Sequence, residues 1–390
     1  MRSRGPTARK NGKYRLNSSI TQGSARKRAV SRRALVLALA LYLACYFLFW
    51  AVEALVLHEV PHQDDVEQLL QAAHPALGYS KQPPLPSLVL FAVEQVIPPS
   101  VALVYWMGAA GVAMTMLFAW KVGNATLGRA LAPIAVLAMT CITFYTERLH
   151  LYNNNTAILV ANAAAMLCVW RAVMSGSNVW WLALGIAWGG GMLGKYQMAL
   201  PILCNTAFVA ASDHMTRRSR IAGLSIAALV AAVLFAPHVF WLFRNHFPTF
   251  SYASTELLAH IPLAGRPKNI LSFFADEAWR TFPAVVLLRV MFAVRDKKPP
   301  EKTASTDACV RQFWLIHAWG PMVMMFLLAA IGGTALQMHW GTAFLWAMPF
   351  WFLSTELGSR LKSLSLSRAL ACAVGMQALL IVVKLIWPQY

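Results

Sequence analysis

Ala34-Leu-Val-Leu-Ala-Leu-Ala-Leu-Tyr-Leu-Ala-Cys-Tyr-Phe-Leu-Phe-Trp-Ala-Val-Glu53-Ala-Leu-Val-Leu57 carries one charged side chain. A bilayer-crossing helix needs roughly 20 such residues. Runs of this kind recur to the end of the chain, which is 58% hydrophobic and only 13% charged. A soluble domain would carry about a quarter charged residues. The runs are continuous rather than alternating, so they predict helices and not a membrane barrel. The expected fold class is therefore an all-α polytopic membrane protein.

Ahead of Ala34 stands a basic arm, residues 1–33, with Arg2, Arg4, Arg9, Lys10, Lys13, Arg15, Arg26, Lys27, Arg28, Arg32 and Arg33 and no acid. It supplies much of the net charge of +19. It is expected to be disordered and cytoplasmic, held beside anionic lipid. A charge excess placed there calls for no nucleic-acid partner. The arm lacks the apolar core and small-residue cleavage site of a secretory signal, so the first helix is expected to stay in place. Cys45, Cys141, Cys168, Cys204, Cys309 and Cys372 show no metal-ligand spacing, so neither metal nor cofactor is expected.

The charges between the runs set the threading. Leu85 to Ile97 is short and is punctuated by Glu94, Pro98 and Pro99. Laid along the outer surface as an interfacial helix, it leaves every strongly basic loop inside: Lys121–Arg129, Arg217–Arg220, Arg295–Lys302 and Arg360–Arg368. The spans after helix one are then Val101–Trp120, Ala130–Thr146, Thr156–Val173, Val179–Leu193, Gln197–Ala211, Ile221–Phe243, Trp279–Val294, Phe313–Ile331, Trp340–Thr355 and Ala369–Ile386. That makes about eleven, in one membrane domain over residues 34–390 with neither internal repeat nor second soluble domain. The outer face collects residues 58–99, Glu147–Asn155, the Gly194-Lys195-Tyr196 corner, Arg244–Glu277 and Gly332–His339.

The outer loop 58–99 opens with His58-Glu-Val-Pro-His-Gln-Asp64-Asp65-Val-Glu67 and continues to Gly78-Tyr79-Ser80-Lys81-Gln82-Pro83-Pro84-Leu85. Paired carboxylates at a membrane surface serve as a general base, as metal ligands, or as a solvated pair. The prolines fix φ and bar a helix, presenting Lys81 and Gln82 at the start of the interfacial segment. An ionisable group such as Glu94 in apolar surroundings is a functional candidate.

These residues in this order resemble the GT-C membrane glycosyltransferases. They are most similar to the bacterial branch related to protein O-mannosyltransferases and lipid A aminoarabinose transferases. Further pieces agree in register: Arg148-Leu-His150, Asn153-Asn154-Asn155-Thr156, Gly189-Gly-Gly-Met-Leu-Gly194-Lys195-Tyr196, Ala236-Pro237-His238 with Trp241, Arg244-Asn245, and Met338-His339-Trp340.

The resemblance implies a sugar moved from a polyprenyl phosphate to a hydroxyl of a lipid, glycan or protein. It places the site at the periplasmic face of the bacterial inner membrane. It assigns general-base catalysis to Asp64 with Asp65 in support, and donor-phosphate binding to Lys81, Lys195 and Arg244. Substrate contacts fall on Tyr79, Gln82, Glu94, Arg148, His150, Asn155, Tyr196 and His339. The preferred acceptor is lipid A or lipopolysaccharide; the alternatives are a protein O-glycosyltransferase or a transporter of a lipid-linked sugar. A transporter would show paired broken helices or inverted repeats, and neither is legible. Two departures stand out: Asn155 occupies a place where many relatives carry Asp, and no soluble domain is expected after the last helix.

Overall fold

The computed structural model describes residues 13–57, 61–252, 254, 261–296 and 307–386, with side chains from residue 33 onward. In chain order the helices are α1 (Lys13–Leu57), α2 (Gln63–Ala73), α3 (Leu85–Glu94), α4 (Val101–Thr126), α5 (Gly128–Met139), α6 (Asn154–Ser175), α7 (Asn178–Gly194) and α8 (Ala199–Ala211). Then come α9 (Arg217–Arg244), α10 (Pro248–Tyr252), α11 (Arg266–Val294), α12 (Ala308–Ala330), α13 (Ala347–Ser354), α14 (Glu356–Ser359) and α15 (Leu366–Ile386). Among the described residues there is no strand element. The first part of the basic arm, residues 1–12, lies outside the described residues; from Lys13 the backbone is already that of α1.

The chain divides into two units, Met1–Tyr46 and Phe47–Tyr390. The first holds the leading part of α1. The second holds the end of α1 and every other helix. Among the described residues six helices are long and apolar enough to cross a membrane: the Arg33–Leu57 part of α1, and α4, α6, α9, α12 and α15. The protein is thus a multi-pass membrane protein. Helix α3 has ten residues, about 15 Å at 1.5 Å per residue, half of a hydrocarbon core of about 30 Å. It starts on Pro84 and Pro86 and does not cross.

Two expected spans are interrupted. Ala130–Thr146 is α-helical only to Met139, with one tighter turn at Thr143–Tyr145, and Trp340–Thr355 is α-helical only from Ala347. Non-helical backbone at such depth survives where protein groups satisfy it, and here they do. The Tyr145 hydroxyl donates to the Thr342 carbonyl at 2.5 Å and accepts from the Trp346 N–H at 3.1 Å. Asn162 Nδ2 donates to the Ala343 carbonyl at 2.9 Å, and Gln197 Nε2 to the Trp340 carbonyl at 2.9 Å. The two irregular stretches therefore bind each other and helix α6.

Helix α7 is packed between α6 and α9, and its glycines set how close they come. A Cβ on Gly189 would stand 2.9 Å from Leu234 Cβ, and one on Gly194 would stand 2.8 Å from Ala157 Cβ. The glycine run thus works as close helix packing. Its last member brings the end of α7, and with it Lys195, onto the first turn of α6.

Candidate active site

The site begins with how α2 starts. His62 is its N-cap, with Nδ1 accepting from the Asp64 N–H at 3.2 Å. Asp64 and Asp65 occupy the first turn, where the helix dipole favours negative charge. One residue apart on a helix, they point about 100° away from each other. Asp65 falls on the face with Gln68 and Ala72 and is fully buried. Asp64 remains half-exposed and lines a cavity of about 100 Å³ together with His62, Arg148, Asn153, Asn155 and His339.

Asp65 is an anchor. One carboxylate oxygen accepts from the Tyr152 backbone N–H at 3.0 Å. Burial pushes the carboxyl up to about 7, the Tyr152 N–H opposes this, and the charge of Asp64 adds to it.

Helix α6 opens on three asparagines that serve three different elements. Asn153 is the N-cap: its Oδ1 accepts from the N–H groups of Asn155 and Thr156 at 2.8 and 3.4 Å. That duty fixes the amide orientation. The Asn153 Nδ2 must then face α2, where it donates to Asp64 Oδ2 at 2.9 Å. Asn154 is buried; it accepts from Gln68 Nε2 at 3.4 Å and donates to the carbonyls of Pro83 at 3.2 Å and Gly194 at 2.5 Å. Asn155 accepts from Lys195 Nζ at 2.6 Å. A chain with Asn at this last place thus gives the lysine a neutral partner and leaves its charge uncancelled there.

Burial pushes the Lys195 ammonium down to about 8, and the carboxylate of Asp64 pulls in the opposite direction. Burial also pushes His339 down to about 3, with Lys195, Arg148 and Arg280 adding to the effect. His339 therefore stands in the cavity wall as a neutral imidazole. Arg148 is exposed toward the cavity, its guanidinium 5.9 Å from the Phe144 ring centre. Arg280 lies 4.1 Å from the same ring centre and is spent on Asp276 at 2.5 Å.

The remaining expected contacts are distributed differently. Lys81 Nζ is paired with Glu67 Oε2 at 2.9 Å, and this bond holds its ammonium above the usual lysine range. Arg244 lies exposed in the last turn of α9, stacked 4.7 Å over Phe240, with no bond to the cavity residues. Glu94 ends α3, where burial raises its carboxyl, and it does not line the cavity. His150 is buried with its ring 4.8 Å from Tyr105. The Tyr79 hydroxyl donates to the Gln71 carbonyl at 2.8 Å, and the Gln82 carbonyl accepts from the Tyr79 N–H. Both residues shape the loop that Lys81 stands on. Tyr196 meets His238 Nε2 at 2.7 Å, while His238 Nδ1 donates to the Leu77 carbonyl at 2.7 Å. With Nδ1 carrying the proton, Nε2 accepts from the tyrosine hydroxyl, so this pair ties the loop to α9.

Sequence reasoning missed Asn153, Asn154, Glu67 and Gln68 as members of the site. The triple Asn at a helix start carries an N-cap signal. The side chains beyond the cap, though, are assigned only by the neighbouring helices. Among the described residues no three His, Cys, Asp or Glu side chains gather as a metal site.

Residues 81–241 match the dolichyl-phosphate-mannose-protein mannosyltransferase family. The chain is 26% identical over 337 residues to the lipopolysaccharide core galacturonosyltransferase RgtA of Rhizobium johnstonii, covering 80% of this chain and 63% of that protein. It is 28% identical over 207 residues to RgtB of the same organism, covering 52% and 42%. The chain therefore spans less than two thirds of the length of either relative. Its fold is similar to the crystal structure of ArnT from Cupriavidus metallidurans bound to undecaprenyl phosphate. That match has a TM-score of 0.65 at 14% identity, over 90% of this chain and 64% of the other. The apo form of ArnT gives 0.63 at 15% identity, over 92% and 64%. The family match runs through the loop of Lys81, the asparagines of α6 and Lys195, and the fold is shared over nearly the whole chain; the protein is thus similar to the membrane mannosyltransferase family across its site segment and has an ArnT-like fold.

Proposed function

We propose that this protein transfers a sugar from a polyprenyl-phosphate donor to a hydroxyl of a lipopolysaccharide or lipid A acceptor, with Asp64 as general base. The observation that carries this reading is the placement of Asp64. Its carboxylate is held by Asn153, lines a cavity, and shares that cavity's surroundings with Lys195 and Arg148.

In the reaction, the acceptor oxygen attacks the anomeric carbon and gives its proton to Asp64. The bond from that carbon to the phosphate oxygen breaks, and the electron pair leaves with the lipid phosphate. Its growing negative charge is met by the ammonium of Lys195 and the guanidinium of Arg148. A single displacement of this kind inverts the anomeric centre. Asp65 and Asn153 position the base, and neutral His339 offers a hydrogen bond without adding repulsion. Lys81, closed onto Glu67, joins the phosphate set only if that pair opens.

The lipid-linked donor is supported by the ArnT structure solved with undecaprenyl phosphate, and the acceptor class by the names of RgtA and RgtB. The positive-inside threading supports an inner-membrane protein with a cytoplasmic N-terminus and a periplasmic site. One observation favours a second reading as a transporter of lipid-linked sugar: the two interrupted spans that bind each other.

The test is replacement of Asp64 by Asn in the native host, with envelope glycolipids compared by mass spectrometry against wild type and a deletion strain. Transferase chemistry predicts that the variant, at normal protein level, loses the same sugar mass as the deletion. A deletion that loses the mass while Asp64→Asn keeps it in full would overturn the base and favour the transporter.

A further inference from the structure

A second cavity, of about 870 Å³, lies along α11 and shares no residue with the first. Its size is that of a ligand pocket rather than a packing defect. From α11 it takes Thr281, Ala284, Val285, Leu288, Arg289, Phe292 and Ala293, and Arg295 follows just past the helix end. From Thr281 to Ala293 that is a helical stripe at spacings of three and four, running roughly 18 Å along the helix axis. The facing wall is apolar and aromatic. Trp319 of α12 and Trp351 of α13 meet edge to face at 5.2 Å, with Met348, Pro349 and Phe352 beside them.

The polar contribution to this groove is concentrated toward one end and has one sign. Arg289 is exposed into it and has no hydrogen bond or ion pair among the described residues. Arg295 donates to the Phe292 carbonyl and stacks on the Phe292 ring, contacts that leave its charge uncancelled. Neither carboxylate near that end is bonded to Arg289 or Arg295. Asp296 pairs with Arg368 at 2.7 Å, and Glu356 lies 3.9 Å from Arg311. Among the described residues no anion is paired with Arg289 or Arg295, which leaves both charges open to one from outside the described chain. It must also bring an apolar body that fills a groove longer than the roughly 15 Å depth of one leaflet.

We infer that this groove binds one anionic phospholipid, its acyl chains along the Thr281–Phe292 stripe and its phosphate between Arg289 and Arg295. This site is independent of the transfer reading and uses none of its residues.

The test presents purified full-length protein with equal amounts of phosphatidylglycerol and phosphatidylcholine of identical acyl chains, and counts retained lipid by native mass spectrometry. Two arginines facing one headgroup predict a preference for phosphatidylglycerol of roughly tenfold to thirtyfold. Arg289→Gln with Arg295→Gln should bring it to parity, while the double Lys variant should keep most of it. Should the Gln pair fail to fold, Val285→Trp, on an exposed groove residue, should lower retention of both lipids. Equal retention of the two lipids by wild type would overturn the proposal. So would an unchanged preference in a folded Gln pair, or unchanged retention in Val285→Trp.

Discussion

The irregular stretch between α5 and α6 has a buried polar cluster at each end, and the two clusters differ in one respect. At the α5 end, the Thr140 carbonyl accepts from Gln377 Nε2 at 2.7 Å, and Gln377 Oε1 accepts from Trp50 Nε1 at 3.0 Å. Lys384 and Glu53 meet alongside at 2.6 Å, off the hydrogen-bonding angle, with the ammonium 5.4 Å over the Trp50 ring. At the α6 end, Asn153 caps its helix equally well but spends its remaining donor on a carboxylate that lines a cavity. Both clusters satisfy a helix terminus inside a membrane protein. Only the second keeps charged capacity facing open space. A closed network stabilises; an open one has something left to do.

The sharpest test of that contrast is Asp64→Asn, which should cut transfer by roughly 10³ to 10⁴ while leaving thermal unfolding in detergent unchanged. Lys384→Met should do the reverse. Removing one partner of a buried pair costs about 3–5 kcal/mol, and replacing Glu53 by Gln in the same chain should restore part of it. Transfer per folded molecule should not move, as read by activity normalised to a folding assay.

Lys195→Met should lower transfer by about 10² through the lost charge at the leaving phosphate. Because burial holds Lys195 near 8, wild-type transfer should fall as pH rises through that value. Lys195→Arg should carry the plateau to higher pH. A pH profile of single-turnover rates decides this.

Asn153→Asp keeps the helix cap but sets a second carboxylate against Asp64. It should leave the unfolding temperature within about a degree, against the roughly 1 kcal/mol lost in Asn153→Ala, while moving the acid limb of the transfer profile upward.

The smallest effect belongs to Asp65. Its folded carboxyl titrates at about 7, against 3.8 normally, so the folded chain holds a proton that the unfolded chain releases between those values. Stability from this group is present at low pH and is lost as pH rises toward 7. Thermal unfolding at pH 5 and 8 should therefore show a slope in wild type that flattens in Asp65→Asn.

The long spans were legible because apolar length alone specifies them. Val101–Trp120 and Ile221–Phe243 fall inside α4 and α9. Ala130–Thr146 and Trp340–Thr355 misled because hydropathy reports where side chains prefer to be and is silent on what satisfies the backbone. Here Tyr145, Asn162 and Gln197 do that work across more than a hundred residues of sequence. In the site, Asp64, Arg148, Asn155 and His339 line one cavity from three distant segments. Arg244 stays apart, and Lys81 is claimed by Glu67, a pairing set by the turn through Pro83 and Pro84 rather than by any spacing visible beforehand.

The first turn of α6 acts as a keyed joint. Its three consecutive amides address α2, the Pro83 loop with the end of α7, and Lys195, each about 100° from the last around the helix. Deleting or inserting one residue within Asn153–Asn155 would turn every key into the wrong lock, whereas the same change at the exposed turn before α9 would disturb none of them. A substitution there removes one key, whereas a change of length misaligns all three.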